Sequence, residues 1–405
     1  MVGTLLVDLD GTLLFNPKES FLPAYLRKVG EALSIFSPQE KVIDYLMAST
    51  QKMVDNLRPD RTLRQVFDEC FFSDLGAEQK NVQPQIEFFY KDVFPTLRSL
   101  THPIPGGSEF IDQAFKTGYR VVIATNSLFP STAVQQRLSW ADIPLNQYPY
   151  ILLTSYESFH FSKPHPEFYA EILARLGWPE GPVAVIGDDL NHDIIPSQQL
   201  GLATFQTIYQ PNDQLKSGSE TPFPSGNFSD AWKWLQQSTP DSLTPVFDSL
   251  SSFLPILRST PAALQTATEM IPQECWQMGL TLDEWSLTEI VCHLRDVEKE
   301  VNLPRVLSIV SQENPLITGI DTDQWADIRD YKKQDGSEVL ADFIDTRLKL
   351  LSTLENLSPE DWHRTARHTI FGRTDLFEIL RITISHELLH VRQFMNTLRN
   401  HMEEF

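Results

Sequence analysis

The sequence predicts two architectures in one chain of 405 residues: a doubly wound parallel α/β sheet, followed by an all-α four-helix bundle. Short β-rich runs alternate with helical patterns over 104–237, which is typical of parallel sheets. A helical block at 15–103 separates the first such run from the others, so it reads as an insertion. Strand signals largely vanish beyond a Ser, Thr and Pro-rich stretch at 238–245.

Each element of the front half follows from its local pattern. The apolar run at 4–9 predicts the first strand, and similar runs predict strands at 119–125, 150–154, 182–187 and 203–208. Helical patterns between them lie at 109–116, 132–138 and 166–176, and a last helix is expected at 230–237. Residues 210–228 are rich in Pro, Ser, Gly and Asn and predict a loop.

The rear half carries four helical patterns, which predict a bundle. They cover 244–269, 286–310, 339–356 and 375–398. The resulting domain limits are 1–14 and 104–237 for the α/β core, 15–103 for the insertion, 238–245 for the linker and 246–405 for the bundle.

Composition excludes several functional classes. The chain has 54 acidic against 33 basic residues and a formal charge of −21, which argues against a nucleic-acid footprint or attachment to anionic lipid. The 3 cysteines are widely spaced and predict no disulfide framework, which favours a cytoplasmic location. No apolar run is long enough to span a membrane, and Asp8 and Asp10 interrupt the only apolar run near the N-terminus, so a signal peptide is not expected.

Polar side chains follow several of the predicted strands. Asp8 and Asp10 stand two apart at the end of the first strand, so both face the same side. Because ligands of open parallel sheets bind beyond the carboxyl ends of the strands, the residues at the other strand ends are expected nearby. Those candidates are Gly11, Thr125, Asn126, Lys163, Asp188, Asp189 and Asp193.

Several carboxylates at one edge repel one another unless a cation lies between them. Each like-charged pair costs about 4 kcal/mol at about 4 Å and an effective dielectric near 20. A magnesium ion with oxygen ligands removes that conflict and keeps water positions for a substrate phosphate. Lys163 and Thr125 suit phosphoryl oxygens, and an aspartate can act as a nucleophile while a second serves as acid and base.

These stretches resemble the four motifs of the haloacid dehalogenase-like (HAD) hydrolases. The motifs are Asp8-Leu-Asp-Gly-Thr-Leu13, Thr125-Asn126, Lys163-Pro164 and the run from Gly187 to Asp193. The resemblance implies a Rossmann-like core with an inserted helical cap. It makes Asp8 the nucleophile and Asp10 the acid/base, with Thr125, Asn126, Lys163 and Gly11 around the phosphoryl group. It also makes Asp8, Asp188 and the Asp10 carbonyl Mg²⁺ ligands, with Asp189 and Asp193 as further candidates.

The family includes several chemistries, and one residue discriminates among them. Dehalogenases of the family lack an acid two residues after the nucleophile, and ion-pumping ATPases carry Thr there, whereas this chain has Asp10. The resemblance therefore implies phosphatase-type hydrolysis. A closing cap excludes water and bulky substrates, which favours a small phosphorylated metabolite.

A second constellation lies in the predicted bundle. His386 and His390 stand four apart on one predicted helix, so both imidazoles face the same side and suit one metal ion. His293 lies on an earlier apolar helix and is the candidate third ligand. His-Glu-x-x-His is also the zinc-protease pattern, with Glu387 as general base. The usual third ligands of those proteases are absent, because Gln393 and Asn396 occupy the expected positions.

The wider stretch resembles the DinB-like metal-binding bundles. The resemblance covers 245–400 and includes 285–298, Phe371-Gly372 and 384–393. It implies that His293, His386 and His390 bind a divalent transition metal, zinc or nickel. Some members are thiol-dependent S-transferases, although a fold alone does not fix an activity.

The leading hypothesis is thus a cytoplasmic, Mg²⁺-dependent phosphatase acting on a small phosphorylated metabolite, followed by a metal-binding bundle. Two alternatives give the bundle the main role. It is either a metal-dependent thiol S-transferase or a non-catalytic binding module in which the metal only holds the helices together. Neither nucleic acid nor membrane is expected as a partner, and a homodimer through the bundle is compatible with the sequence.

Overall fold

The computed structural model describes residues 3–209, 222–269, 271–281 and 284–403. Its internal contacts divide the chain into two compact units. The first comprises residues 1–169 and 180–246, and the second comprises residues 170–179 and 247–405. None of the helices in the described ranges combines the length and the apolar character that crossing a bilayer requires.

The first unit is built on a six-stranded sheet in which all neighbouring strands are parallel. Its order is β5-β4-β1-β6-β7-β8, and β2 and β3 form a separate antiparallel pair. The strands are β1 (Thr4–Val7), β2 (Leu14–Phe15), β3 (His102–Pro103), β4 (Arg120–Ile123), β5 (Leu152–Leu153), β6 (Val183–Gly187), β7 (Ala203–Thr207) and β8 (Ser225–Gly226).

The two central strands are buried along their whole length, because sheets covered on both faces need apolar residues at every position. Val7 of β1 pairs with Ile123 of β4 on one side and with Ile186 of β6 on the other. This register brings the carboxyl ends of these three strands to one edge of the sheet.

Helices lie between the strands of this unit along the chain and follow the last of them. In chain order they are α1 (Lys18–Ala32), α2 (Gln39–Val54), α3 (Leu63–Leu75), α4 (Gln79–Phe88), α5 (Gly107–Lys116), α6 (Ser131–Trp140), α7 (Pro166–Arg175), α8 (Ile195–Gln199), α9 (Phe228–Gln237) and α10 (Pro240–Leu243). A π-helical segment at Phe89–Val93 and a 3-10 helix at Phe94–Leu100 continue α4. Thus α1 to α4 form the helical insertion expected after the first strand, and its apolar faces share one core with the sheet.

The second unit consists mainly of helices. They are α11 (Leu250–Thr268), α12 (Leu287–Val297), α13 (Leu303–Ser311), α14 (Trp325–Ile328), α15 (Gly336–Glu355) and α16 (Leu376–Glu403). The bundle forms where α12 packs against α15 and α16, and α11 packs against the same two helices. The predicted fold class, a doubly wound parallel sheet followed by a four-helix bundle, is confirmed.

Local differences from the sequence-based expectation are confined to short segments. The stretch at 238–245, expected as a linker, contains α10, and Leu243 on it is buried. The second unit also holds a small three-stranded sheet of β9 (Leu316–Ile317), β10 (Thr365–His368) and β11 (Gly372–Asp375). Strands of two to four residues are too short to show a clear period of two. The loop expected at 210–228 lies outside the described residues over 210–221, and its end contains β8.

Candidate functional site

The candidate site of the first unit lies at the carboxyl edge of its sheet. Asp8 directly follows β1, and its backbone N–H donates to the Ile186 carbonyl at 2.9 Å. Asp188 directly follows β6, and Thr125 comes two residues after β4. The three polar residues are therefore positioned by neighbouring strands, as expected for a ligand site of a doubly wound sheet.

Lys163 links the carboxylates of this edge. Its Nζ donates to Asp8 Oδ1 at 2.6 Å and to Asp193 Oδ1 at 2.5 Å, and only 2% of the lysine side chain is exposed. The Tyr169 hydroxyl also donates to Asp193 Oδ1, at 3.0 Å. The ammonium group is thus fixed between two buried acids by charge-assisted hydrogen bonds.

Burial and mutual repulsion perturb these groups in a consistent direction. Burial raises the pKa of Asp8 well above its usual value, although Lys163 opposes the shift. Burial also raises the pKa of Asp188 to about 6, with the Asp193 charge acting in the same direction. Burial by itself would lower the pKa of Lys163, but the charges of Asp193 and Asp8 outweigh it and raise that pKa. The charged forms of Asp8 and Asp188 are therefore disfavoured unless a further positive charge lies close to them.

Asp188 is held by the first motif. Thr12 Oγ1 donates to Asp188 Oδ1 at 3.1 Å, and Gln206 Nε2 donates to the Asp188 carbonyl at 2.9 Å. Gly11 has φ +90°, and a Cβ on it would lie 2.4 Å from Asp188 Oδ2. Only glycine satisfies both conditions, so Gly11 allows the loop after β1 to approach the end of β6.

Asp10 faces a different set of partners. Its Oδ2 is paired with Arg137 Nη1 and lies 3.3 Å from Thr125 Oγ1, while its Oδ1 accepts from Asn16 Nδ2 at 2.9 Å. About a quarter of the Asp10 side chain (27%) is exposed, whereas Arg137 is buried at 1%. Asp10 is therefore accessible to a ligand while its orientation is fixed from three directions.

The remaining residues predicted for this site divide into two groups. Asn126 belongs to the site, since its Oδ1 accepts from the Lys163 backbone N–H at 3.2 Å. Asp193 joins the carboxylate cluster. Asp189 instead caps its own turn, accepting from the N–H groups of Asn191 and His192. It also lies outside the group of clustered ligand atoms.

Arg137 is the functional residue that the sequence analysis missed. It lies on α6 together with the buried residues Ala133, Val134 and Leu138. Spacings of three and four put Arg137 on that same buried face, and an arginine there requires a partner of opposite charge. The helical pattern thus carried a signal, but the identity of the partner depends on tertiary placement.

One group of ligand atoms in this unit fits a divalent cation. Oxygens of Asp8, Asp188 and Asp193 lie within 4.8 Å of one another. Hard carboxylate oxygens are the ligands that Mg²⁺ prefers, and because burial raises the pKa values of Asp8 and Asp188, a cation among them would favour their charged forms. The Asp10 side chain is not part of this group.

The second unit brings its three predicted histidines together. His386 Nε2 lies 3.3 Å from His293 Nε2 and 3.1 Å from His390 Nε2, so three nitrogens converge on one point from α12 and α16. His390 Nδ1 lies 3.3 Å from Gln393 Oε1, which favours the proton on Nδ1 and leaves Nε2 as the free lone pair. This donor set fits an open three-histidine transition-metal site.

The surroundings keep these imidazoles neutral. Burial and the other two histidines lower the pKa of His293 to about 3, and burial together with His386 lowers that of His390 to about 4. The Trp285 ring stacks on His390 with 5.7 Å between centroids and also packs against His293. Since metals bind the neutral imidazole, the site is prepared for one over a wide pH range.

Glu387 does not face this triad as a free base. Arg347 donates to both of its carboxylate oxygens, and the same arginine pairs with Glu298 and donates to the Leu257 carbonyl at 2.7 Å. All three charged side chains are buried at 3% exposure or less. Both carboxylate oxygens of Glu387 thus accept hydrogen bonds from Arg347 in the bundle core. This argues against Glu387 as the general base of a zinc protease.

Comparisons with known proteins match the two units separately. Residues 2–201 match the family of haloacid dehalogenase-like hydrolases, and residues 256–394 match the DinB superfamily. One curated relative is OB0782 of Oceanobacillus iheyensis, whose name assigns it provisionally to the metal-dependent hydrolases. It is 28% identical over 111 residues, which is 26% of this chain, and the chain spans 63% of the length of that relative.

Solved structures of both kinds resemble parts of the chain. YfiT from Bacillus subtilis, with a four-helix bundle of unusual topology, is 20% identical with a TM-score of 0.33, covering 47% of this chain and 93% of YfiT. A HAD phosphatase from Thermococcus onnurineus is 17% identical with a TM-score of 0.37, covering 58% of this chain and 98% of that phosphatase.

The two family matches fall on the two constellations described above. The first contains Asp8, Lys163 and Asp188, and the second contains the histidine triad. Both families imply the use of a divalent metal. The chain thus joins a region that matches the haloacid dehalogenase-like hydrolases, residues 2–201, to a region that matches the DinB superfamily, residues 256–394.

Proposed function

We propose that the first unit is a Mg²⁺-dependent phosphatase that hydrolyses a small phosphorylated metabolite through an aspartyl phosphate on Asp8. The observation that carries this proposal is the bridge of Lys163 between Asp8 and Asp193, with an Asp188 oxygen within 4.8 Å of both acids. A nucleophile, a fixed ammonium group and a metal-binding cluster thereby share one edge of the sheet.

Asp8 is the nucleophile of the proposed reaction. Lys163 holds Oδ1, which orients the carboxylate and leaves Oδ2 to attack the phosphorus. The new Oδ2–P bond forms as the bond between phosphorus and the ester oxygen breaks. Thr125, Asn126 and Lys163 surround the place where the phosphoryl oxygens would lie.

Asp10 moves the protons. In the first step its carboxyl donates a proton to the departing alcohol oxygen, and in the second its carboxylate accepts one from the water that attacks the aspartyl phosphate. The products are the alcohol and inorganic phosphate. Arg137 Nη1 pairs with Asp10 Oδ2, so this pair must loosen if the leaving oxygen is to approach that carboxylate oxygen.

Asp8, Asp188 and Asp193 would hold the Mg²⁺ ion. When bound, the cation neutralises charge on the phosphoryl oxygens. Asp10 favours phosphate-ester chemistry over dehalogenation, because alkyl halide displacement needs no proton for the leaving group whereas alcohol release does.

The test is the turnover of p-nitrophenyl phosphate with Mg²⁺ by the full chain. We expect Asp8→Asn and Asp10→Asn to lose at least about a hundredfold in kcat while the fold survives, as judged by circular dichroism. Asp112→Asn, which alters an exposed carboxylate paired with Lys116, is the matched control and should retain wild-type activity. Wild-type turnover by Asp8→Asn would refute the proposal. A screen of phosphorylated metabolites then identifies the substrate.

For the second unit we infer a zinc or nickel site formed by His293, His386 and His390. The convergence of three neutral imidazole nitrogens supports it. A metal with three histidine ligands would have a fourth coordination position for a thiol, which would allow S-transfer. A purely structural metal would only hold α12 and α16 together.

Chelation separates these two roles. A metal-dependent S-transferase loses thiol-transfer activity when its metal is removed. A structural staple instead gives a lower melting temperature of the second unit and no transfer activity at any metal content.

A further inference from the structure

A cavity of about 280 Å³ lies within the first unit. Side chains of α1 to α4 and the segment at 128–130 after β4 line it. This volume corresponds to on the order of nine water molecules and lies just below the usual range of small-molecule sites. It therefore has room for a small organic group.

The wall of the cavity is predominantly apolar. Val29, Leu46 and Phe89 are buried on it. Several of its polar groups already have partners: the Tyr25 and Tyr90 hydroxyls share a hydrogen bond at 3.0 Å. Such a wall binds an apolar ligand more favourably than a charged or hydroxylated one, because the polar ligand would lose its hydration without gaining equivalent hydrogen bonds.

Two further polar groups of the wall also have hydrogen-bond partners. Thr50 Oγ1 donates to the Leu46 carbonyl at 2.8 Å, and Asp68 accepts from Gln79 Nε2 at 2.9 Å. On the outer side, Leu22 and Met47 are 41% and 46% exposed, so the cavity reaches solvent there.

One residue connects the cavity to the catalytic edge. Phe129 lines the cavity, packs against Tyr25 at 5.3 Å between centroids and carries the Arg137 guanidinium 4.5 Å above its ring. Arg137 in turn pairs with Asp10, and its Nη2 is buried without a hydrogen-bond partner among the residues that the structure describes. The cavity is thus two side-chain contacts from the proposed acid/base.

We propose that this cavity receives the organic part of the phosphate ester, so that the enzyme prefers monoesters of small apolar alcohols over sugar phosphates. The inference rests on the proposed phosphatase function. The ester oxygen must face Asp10 to receive its proton, and Arg137 both pairs with Asp10 and lies over the Phe129 ring of the cavity wall, so the group attached to that oxygen would reach the cavity past Arg137 and Phe129. The side chain of Arg137 would then have to shift away from Asp10.

The test compares n-hexyl phosphate with glucose 6-phosphate. Both are six-carbon esters of a primary alcohol, so the chemical step is similar and the comparison reports mainly on the cavity. We expect kcat/KM to be at least about tenfold higher for hexyl phosphate, the effect of about two buried methylene groups.

A cavity-filling variant supplies the second arm. Thr50→Phe places a ring in the cavity and should lower the preference for hexyl phosphate over glucose 6-phosphate to about threefold or less. Lys41→Phe adds the same ring to an exposed position of α2 that does not line the cavity, and it should keep the wild-type preference. If Thr50→Phe does not fold, Leu46→Ala serves instead, and its larger cavity should shift the preference toward n-octyl phosphate.

The outcomes separate this inference from the function on which it rests. Hydrolysis that depends on Asp8 but favours glucose 6-phosphate, or a folded Thr50→Phe with an unchanged preference, would overturn the cavity assignment alone. Failure of every ester to be hydrolysed in an Asp8-dependent manner would overturn the proposed phosphatase, and the inference with it.

Discussion

Replacing Lys163 with methionine removes the charge between the buried acids while keeping an unbranched side chain of similar length. The variant leaves oxygens of Asp8, Asp188 and Asp193 within 4.8 Å of one another and without the ammonium group. At that separation each like-charged pair costs about 3.5 kcal/mol at an effective dielectric near 20. Since the carboxyls relieve part of this by taking up protons, we expect the first unit to lose about 3–5 kcal/mol of unfolding free energy at pH 7.5 without Mg²⁺.

The pH dependence identifies the cause of that loss. A carboxyl whose folded pKa is raised stabilises the fold below its unfolded pKa, and this contribution is lost as the pH rises through the folded pKa. The pKa of Asp8 is raised well above its usual value and that of Asp188 to about 6, in both cases mainly by burial. The deficit of Lys163→Met should therefore shrink to about 1–2 kcal/mol at pH 5, where protonation removes the repulsion.

Hydrogen exchange of β1 and β6 at increasing urea measures the stability of the first unit separately from the second. Saturating Mg²⁺ at pH 7.5 should restore part of the loss, since the cation replaces the missing charge. Lys116→Met removes an exposed lysine paired with Asp112 and should leave the unfolding free energy nearly unchanged at both pH values. An equal deficit at pH 5 and pH 7.5 that Mg²⁺ does not change would show that only packing was lost, and would refute the electrostatic reasoning.

Three further predictions concern the metal sites and the bundle core. His386→Ala should bind less than about a tenth of the transition metal bound by the wild type, as measured by plasma mass spectrometry, because two imidazoles hold a metal poorly. Arg347→Met should destabilise the second unit by about 3–5 kcal/mol in urea, since Glu298 and Glu387 remain buried without their partner. Mg²⁺ affinity, measured by calorimetry, should be nearly constant above pH 7 and fall below about pH 6, because protonated Asp188 is a poor ligand.

Matched controls exist for these predictions. His363→Ala changes an exposed histidine of the same unit and should keep the metal. The double variant Arg347→Met, Glu387→Gln should recover part of the stability, because it removes one of the two unpaired charges. Full metal content in His386→Ala, an unaffected Arg347→Met or an Mg²⁺ affinity that rises below pH 6 would each contradict the corresponding assignment.

The sequence predicted the position of the first site because its residues follow strands. Asp8, Thr125 and Asp188 come after β1, β4 and β6, and parallel strands bring their carboxyl ends to one edge whatever the loops between them do. The histidine pair of α16 could also be predicted from the sequence, since helical spacing fixes which side chains share a face.

Residues placed by loops and by tertiary contacts were harder to predict. Asp189 and Asp193 both follow β6, but the π-helical segment at Leu190–Ile194 returns only Asp193 to the cluster, while Asp189 caps the turn. The Arg137–Asp10 pair joins α6 to the loop after β1, and no local pattern specifies that meeting. Arg347 on α15 is similar, since its two carboxylate partners come from elsewhere in the bundle.

The most direct test of the central claim is an acid-quenched single turnover of p-nitrophenyl phosphate with Mg²⁺, followed by mass spectrometry of the peptide that contains Asp8. p-Nitrophenolate leaves without a proton, so Asp10→Asn should still be phosphorylated, yet it should release phosphate slowly because it lacks the base. We expect phosphate on Asp8 in the wild type, a larger amount in Asp10→Asn and none in Asp8→Asn. Phosphate on another residue, or rapid turnover by Asp8→Asn, would contradict it.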